Sequence, residues 1–199
     1  MKQQFSITFD YLCPFARILN EAVIVAQRDG APYEVGYRAF SLSQVHLSEG
    51  DAPVWETTPR PSGVLALEWG LAVRDQFPDA FPAAHLALFA ARHDHGRDLN
   101  DPQVLADAVA AAGLDPAAVR RAVAGGAPIK ALRDDHLALV DEHRVFGVPT
   151  IVAGDRAVFI RLMDRTPDPT AARGAIDRLL ELIVGWPALN ELKTTRIPR

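Results

Sequence analysis

The chain of 199 residues is predicted to adopt an α/β fold whose sheet-bearing core is interrupted by an all-helical insertion. Three observations predict it. The first forty residues read as strand, helix, strand; residues from about 53 to 146 read as helices without strands; and the remainder reads as a β-hairpin followed by one helix. With 49% apolar and 23% charged residues, the composition is that of a globular protein able to bury one substantial core.

"FSITF", residues 5–9, alternates apolar and polar side chains among aromatic and β-branched types, as a strand does. From Pro14 to Arg28, Phe15, Ile18, Leu19, Ala22, Val25 and Ala26 recur at helical spacing, with Gly30 just beyond as a stop. "YEVGYRAF" then sets Tyr33, Val35, Tyr37 and Ala39 on one side at period two, so the two strands are expected to lie parallel with a right-handed crossover. In the central block, "SGVLALEWGLAVRDQF" and "PAAHLALFAARHDHG" are helical in spacing. Two further helices begin at Asp101-Pro102 and Asp115-Pro116, where Asp caps and Pro fits the first turn, and close at Gly113 and Gly125. Another runs from about Pro128 to His143. Strand character returns in "PTIVA" and "RAVFI", joined by Gly154-Asp155, and a last helix runs from Asp168-Pro169 to Gly185.

Composition narrows the function. The formal charge is −4 and no Lys/Arg run occurs, which argues against a nucleic-acid partner. No stretch of about 18 apolar residues predicts a membrane span, and the N-terminus lacks the apolar run of a secretory signal, so the expected location is cytoplasmic. The one cysteine, Cys13, cannot form an intramolecular disulfide, which fits a reducing compartment.

Cys13 is also the first candidate for chemistry. If the strand ends near Asp10 and the helix starts at Pro14, Cys13 caps the helix, where unpaired N–H groups and the helix dipole favour a thiolate. Against this stands the ordinary fate of a lone cysteine, burial as a small hydrophobe. "GVPT", Gly147 to Thr150, opens the hairpin with a proline that is either cis or an ordinary trans proline at a strand start. His93-Asp94-His95 is a poor metal site, because residues two apart do not share a helical face. His136 and His143 are expected at the surface or half-buried, and Trp55 and Trp69 in core packing or along a groove. No phosphate-binding glycine loop and no hydrolase or metalloprotease motif is present, and no metal site is expected.

"FDYLCPFAR", then a helical block, then "GVPT" before a hairpin, resembles over nearly the whole chain the DsbA-like branch of the thioredoxin superfamily. That branch includes FrnE-type proteins, kappa-class glutathione transferases and 2-hydroxychromene-2-carboxylate isomerases. "LNELKTTRIP" and "AFSLSQ" are similar to actinobacterial DsbA-like proteins that work with mycothiol. The resemblance implies a thioredoxin-like core at residues 1–52 and 146–199 and an insertion at 53–145. It implies that Cys13 is the nucleophile, that Pro14 and Phe15 are the dipeptide shaping its surroundings, that Pro149 is a cis-proline facing it, and that the Val148 backbone pairs with an extended thiol or peptide.

Ala16 departs from the family pattern, standing where the second cysteine belongs. A dithiol cycle is therefore excluded, and release of any mixed disulfide needs an external thiol. The expectation is a monothiol thiol-disulfide oxidoreductase with no tightly bound cofactor, glutathione or mycothiol as co-substrate, and a disulfide or electrophilic small molecule as substrate. A glutathione- or mycothiol-dependent transferase or isomerase of the kappa-class type, or a redox-silent binding protein on the same fold, are the alternatives. A core of this kind has faces able to form a homodimer, and nothing in the sequence selects one.

Overall fold

The computed structural model describes residues 3–194. β1 (Gln3–Phe9) leads into α1 (Pro14–Arg28) and β2 (Tyr33–Ala39); a short α2 (Leu42–Val45) follows. Five helices come next: α3 (Val64–Gln76), α4 (Phe81–His93), α5 (Pro102–Ala111), α6 (Pro116–Ala124) and α7 (Ala127–His143). The chain returns to the sheet as β3 (Thr150–Ala153) and β4 (Arg156–Phe159) and ends in α8 (Pro169–Gly185).

The strand order is β2-β1-β3-β4. β1 runs parallel to β2, with Phe5 opposite Val35 and Phe9 opposite Ala39. β1 runs antiparallel to β3, and β3 to β4, where Thr150 faces Phe159 and Ala153 faces Arg156 across the Gly154-Asp155 turn. Two apolar clusters divide the interior. Phe5, Ile7, Leu19, Val23, Ile151, Ile176 and Leu180 join the sheet to α1 and α8. Phe9, Tyr11, Trp69, Leu71, Leu88, Phe89 and Leu105 join the end of β1 to the helical block. Phe9 and Tyr11 thus tie the strand that carries the Cys13 loop into the second cluster, with their rings 5.4 Å apart.

The helix starts follow local rules. Asp101, Asp115 and Asp168 each accept a hydrogen bond from a backbone N–H in the first turn, with Pro next in sequence. The end of α7 is different: it closes on Arg144, in the left-handed region at φ 56°, with Val145 N–H donating to Leu139 O. That turn delivers Phe146 to Pro149 to the sheet. Pro149 lies just ahead of β3 rather than inside it, and its carbonyl accepts from Ile160 N–H, extending the hairpin ladder. "AFSLSQ" supplies the end of β2 and the cap of α2, where Ser41 Oγ accepts from Gln44 N–H. "LNELKTTRIP" extends beyond the described residues. No helix among those residues is long and apolar enough to cross a membrane.

Candidate active site

The strand-to-helix junction is built around Asp10. Its carbonyl accepts from Cys13 N–H at 3.0 Å, while its carboxylate accepts from Leu12 N–H at 2.9 Å and Leu42 N–H at 2.8 Å. An Asp at the head of a tight turn does this because its side chain reproduces a backbone acceptor two residues on. Asp10 is buried, and burial pushes its pKa up to about 6 against the pull of the two N–H groups. It lies within the quoted motif, and its place three residues before Cys13 was the only sequence signal for this role.

Cys13 caps α1 with extended backbone, φ −91° and ψ 116°, and Pro14 begins the helix. Its sulfur accepts from Ala16 N–H at 3.4 Å and donates its S–H to Val148 O at 3.4 Å. The residues of the two quoted motifs thus meet across the junction. The Val148–Pro149 peptide bond is cis. Thr150 fastens this loop, donating its N–H to Thr8 Oγ1 at 2.7 Å and its hydroxyl to Gly147 O at 2.8 Å. Pro14 is exposed, Phe15 half-buried, and Ala16 fully buried beneath the sulfur's helix turn.

The expected ease of ionisation does not follow from this geometry. Cys13 is only 6% exposed, and burial raises its pKa above the ordinary thiol value. The N–H groups of Ala16 and Phe15 and the charge of Arg161 act the other way, and the charge of Asp10 adds to the rise. The helix start favours the thiolate as anticipated, but desolvation is the larger effect.

Behind the loop lies a neutral polar chain. Asn20 donates through its amide NH2 to Thr8 O and Ala16 O, at 3.3 and 2.8 Å. Its carbonyl oxygen must then accept from His85 Nε2 at 3.2 Å, which leaves His85 Nδ1 to accept the Tyr11 hydroxyl at 2.8 Å. Burial drives the His85 pKa down to about 3, so the ring stays neutral. Helical spacing alone gave no hint of this cluster, since its members come from β1, the loop that follows it, α1 and α4.

The other histidines are engaged elsewhere. His93 Nε2 donates to Tyr11 O at 2.9 Å and Asp94 pairs with Arg17, so this stretch braces the Cys13 loop. His136, expected at or near the surface, is 5% exposed: it accepts from Ser41 N–H and stacks on Phe40 at 4.2 Å, because that face of α7 closes over the end of β2. Trp69 is buried in the helical block, and Trp55 lies 5.7 Å from the His136 ring. No group of three metal-ligating side chains occurs among the described residues.

Aromatic side chains lie on the segments that flank the site. Phe146 is 70% exposed and stands 5.4 Å from Phe159, and the exposed Arg161 guanidinium lies 4.5 Å above the Phe15 ring. Neither Phe146 nor Arg161 carries a sequence signal, because Phe146 owes its position to the turn after α7 and Arg161 to the hairpin register.

Residues 70–165 match the family model of the DSBA-like thioredoxin domain. No curated protein matches the sequence. Solved structures share the fold: a probable DsbA oxidoreductase from Streptomyces coelicolor is 19% identical with a TM-score of 0.59, over 96% of this chain and 93% of that one. The oxidoreductase NmDsbA1 from N. meningitidis is 16% identical with a TM-score of 0.60, over 94% and 86%. A thioredoxin-like oxidoreductase from Silicibacter pomeroyi is 21% identical with a TM-score of 0.57, over 88% and 85%.

Proposed function

We propose that this chain, which carries a DsbA-like thioredoxin domain, is a thiol-disulfide oxidoreductase that works through Cys13 alone. The observation that carries the reading is the sulfur's position: at the cap of α1, against the Val148 carbonyl, with a methyl group at Ala16 in place of a second sulfur. The Cys13 thiolate attacks one sulfur of a disulfide, forms a mixed disulfide and releases the other half as a thiolate. A small external thiol, glutathione or mycothiol, then attacks the adduct as its own thiolate, regenerating Cys13 and leaving as the new disulfide. The Ala16 and Phe15 N–H groups and the Arg161 charge favour the leaving Cys13 thiolate in that second step. The single cysteine fits a reducing, cytoplasmic setting.

The test is intact mass after incubation with oxidised glutathione or mycothiol disulfide. One adduct per chain, absent in Cys13→Ser and removed by the free thiol, is expected; an unmodified, folded chain after incubation up to pH 9.5 overturns the reading.

One observation favours a second reading. The thiol is held protonated by burial and already donates to Val148 O, as suits a group that offers a hydrogen bond to the sulfur of a bound thiol in a kappa-class-type transferase or isomerase. In that case Cys13→Ser retains measurable turnover with glutathione and an electrophile, because a hydroxyl still donates.

A further inference from the structure

Resting on the reading of Cys13 as a thiol that exchanges with small disulfides, we infer that Arg161 selects the co-substrate, and that it selects a thiol or disulfide bearing a carboxylate a few bonds from its sulfur.

The placement comes from the hairpin. Thr150 faces Phe159, and Ile160 N–H donates to Pro149 O, so the chain leaves the ladder with Arg161 next to the loop whose Val148 carbonyl receives the Cys13 S–H. There the guanidinium lies 4.5 Å from the centre of the Phe15 ring and 5.9 Å from that of Phe159. Ring faces hold a guanidinium through their quadrupole without consuming its N–H donors.

Its charge is also uncommitted. Among the described residues Arg17, Arg38, Arg60, Arg74, Arg97 and Arg165 each have a carboxylate partner, whereas Arg161 has none within ion-pair distance. Lone cations are common on surfaces, but this one lies against two rings, one of them Phe15 in the first turn of the helix that Cys13 caps. Its charge reaches the sulfur as well. Phe146, 5.4 Å from Phe159 and largely exposed, adds a further apolar surface. These side chains therefore offer apolar surface for a short carbon stem and one planar fork for an anion. A neutral disulfide finds only the apolar surface, and a cationic one meets a like charge.

The experiment measures the second-order rate of mixed-disulfide formation on Cys13 by intact mass, at one pH and low salt, with oxidised glutathione, 2-hydroxyethyl disulfide and cystamine as anionic, neutral and cationic probes. Wild type is compared with Arg161→Gln and Arg161→Lys, whose folding is checked by thermal melting. Arg161→Gln is expected to lose about tenfold with oxidised glutathione, the scale of one charge-assisted hydrogen bond, to change little with the neutral probe and to gain with cystamine. Arg161→Lys is expected to recover part of the loss, and added salt to shrink the wild-type preference. An equal slowing with all three probes overturns the inference, because Arg161 then acts only on the sulfur; so does an unaltered preference. Adducts formed without charge preference overturn this inference alone, whereas no adduct from any probe overturns the function proposed for Cys13.

Discussion

At the scale of single residues, Cys13 is a contest between its helix and its burial. The N–H groups of the first turn stabilise a thiolate, desolvation opposes it, and the raised pKa says which is larger. Alkylation of Cys13 by iodoacetamide is therefore expected to keep accelerating above pH 9, where an activated thiol would have reached its plateau; mass-spectrometric rates across pH 7 to 10 check this. Asp10→Asn removes a charge that holds the thiol protonated, so the rate profile should move to lower pH. The same change leaves one of two part-buried N–H donors, Leu12 or Leu42, without an acceptor and should cost about 1 kcal/mol in denaturant unfolding. Ala16→Cys restores a second sulfur one helical turn from the first, at a position whose N–H already points at Cys13. Insulin reduction with dithiothreitol should then exceed that of the parent protein. At this scale the sequence announced Cys13 and Ala16 plainly, because motif and spacing are local. It was silent on protonation, because that depends on what other segments pack over the sulfur.

Among the elements, the helices and strands were largely readable. Pro after Asp marks three helix starts because the side chain and the ring each meet a backbone requirement of the first turn, whatever lies nearby. The end of α7 at His143 was readable as well, but not how it closes, since Arg144 takes the left-handed conformation usually left to glycine and carries no mark of it. Packing between elements was hidden too. Gly70 lies inside α3, where helix propensity disfavours it, and the structure supplies the reason: a methyl group there would overlap the Tyr11 ring and hydroxyl. Gly70→Ala is expected to destabilise the fold by about 1–3 kcal/mol despite its better propensity. It should also disturb Cys13 reactivity, because Tyr11 connects α3 and α4 to the Cys13 loop. Melting temperature and alkylation rate measured on the same preparation test both.

For the molecule as a whole, buried neutral histidines set the response to acid. His85 and His136 have pKa values pushed down to about 3 and about 4 by burial, against 6.5 in an exposed chain. The unfolded chain thus binds protons that the folded one refuses, so their stabilising contribution is complete above pH 6.5 and declines as pH falls through 6.5 towards 4. Asp10 works in the opposite sense, its pKa raised from 3.8 to about 6, so its burial becomes less costly over part of the same range. Two downward shifts exceed this one upward shift, and the melting temperature should fall between pH 7 and pH 4, with a flatter slope in His136→Gln. None of this could be taken from composition, which counts six histidines without showing which are enclosed.

The hydrogen bond from Cys13 to Val148 spans 135 positions of the chain. During synthesis from the N-terminus, the thiol emerges long before the carbonyl that will receive it, and all five central helices must be made in between. Until β3 arrives, β1 lacks its antiparallel neighbour and the sulfur lacks its cover. The nascent chain is consequently expected to present an unshielded thiol until Val148 and β3 join the sheet.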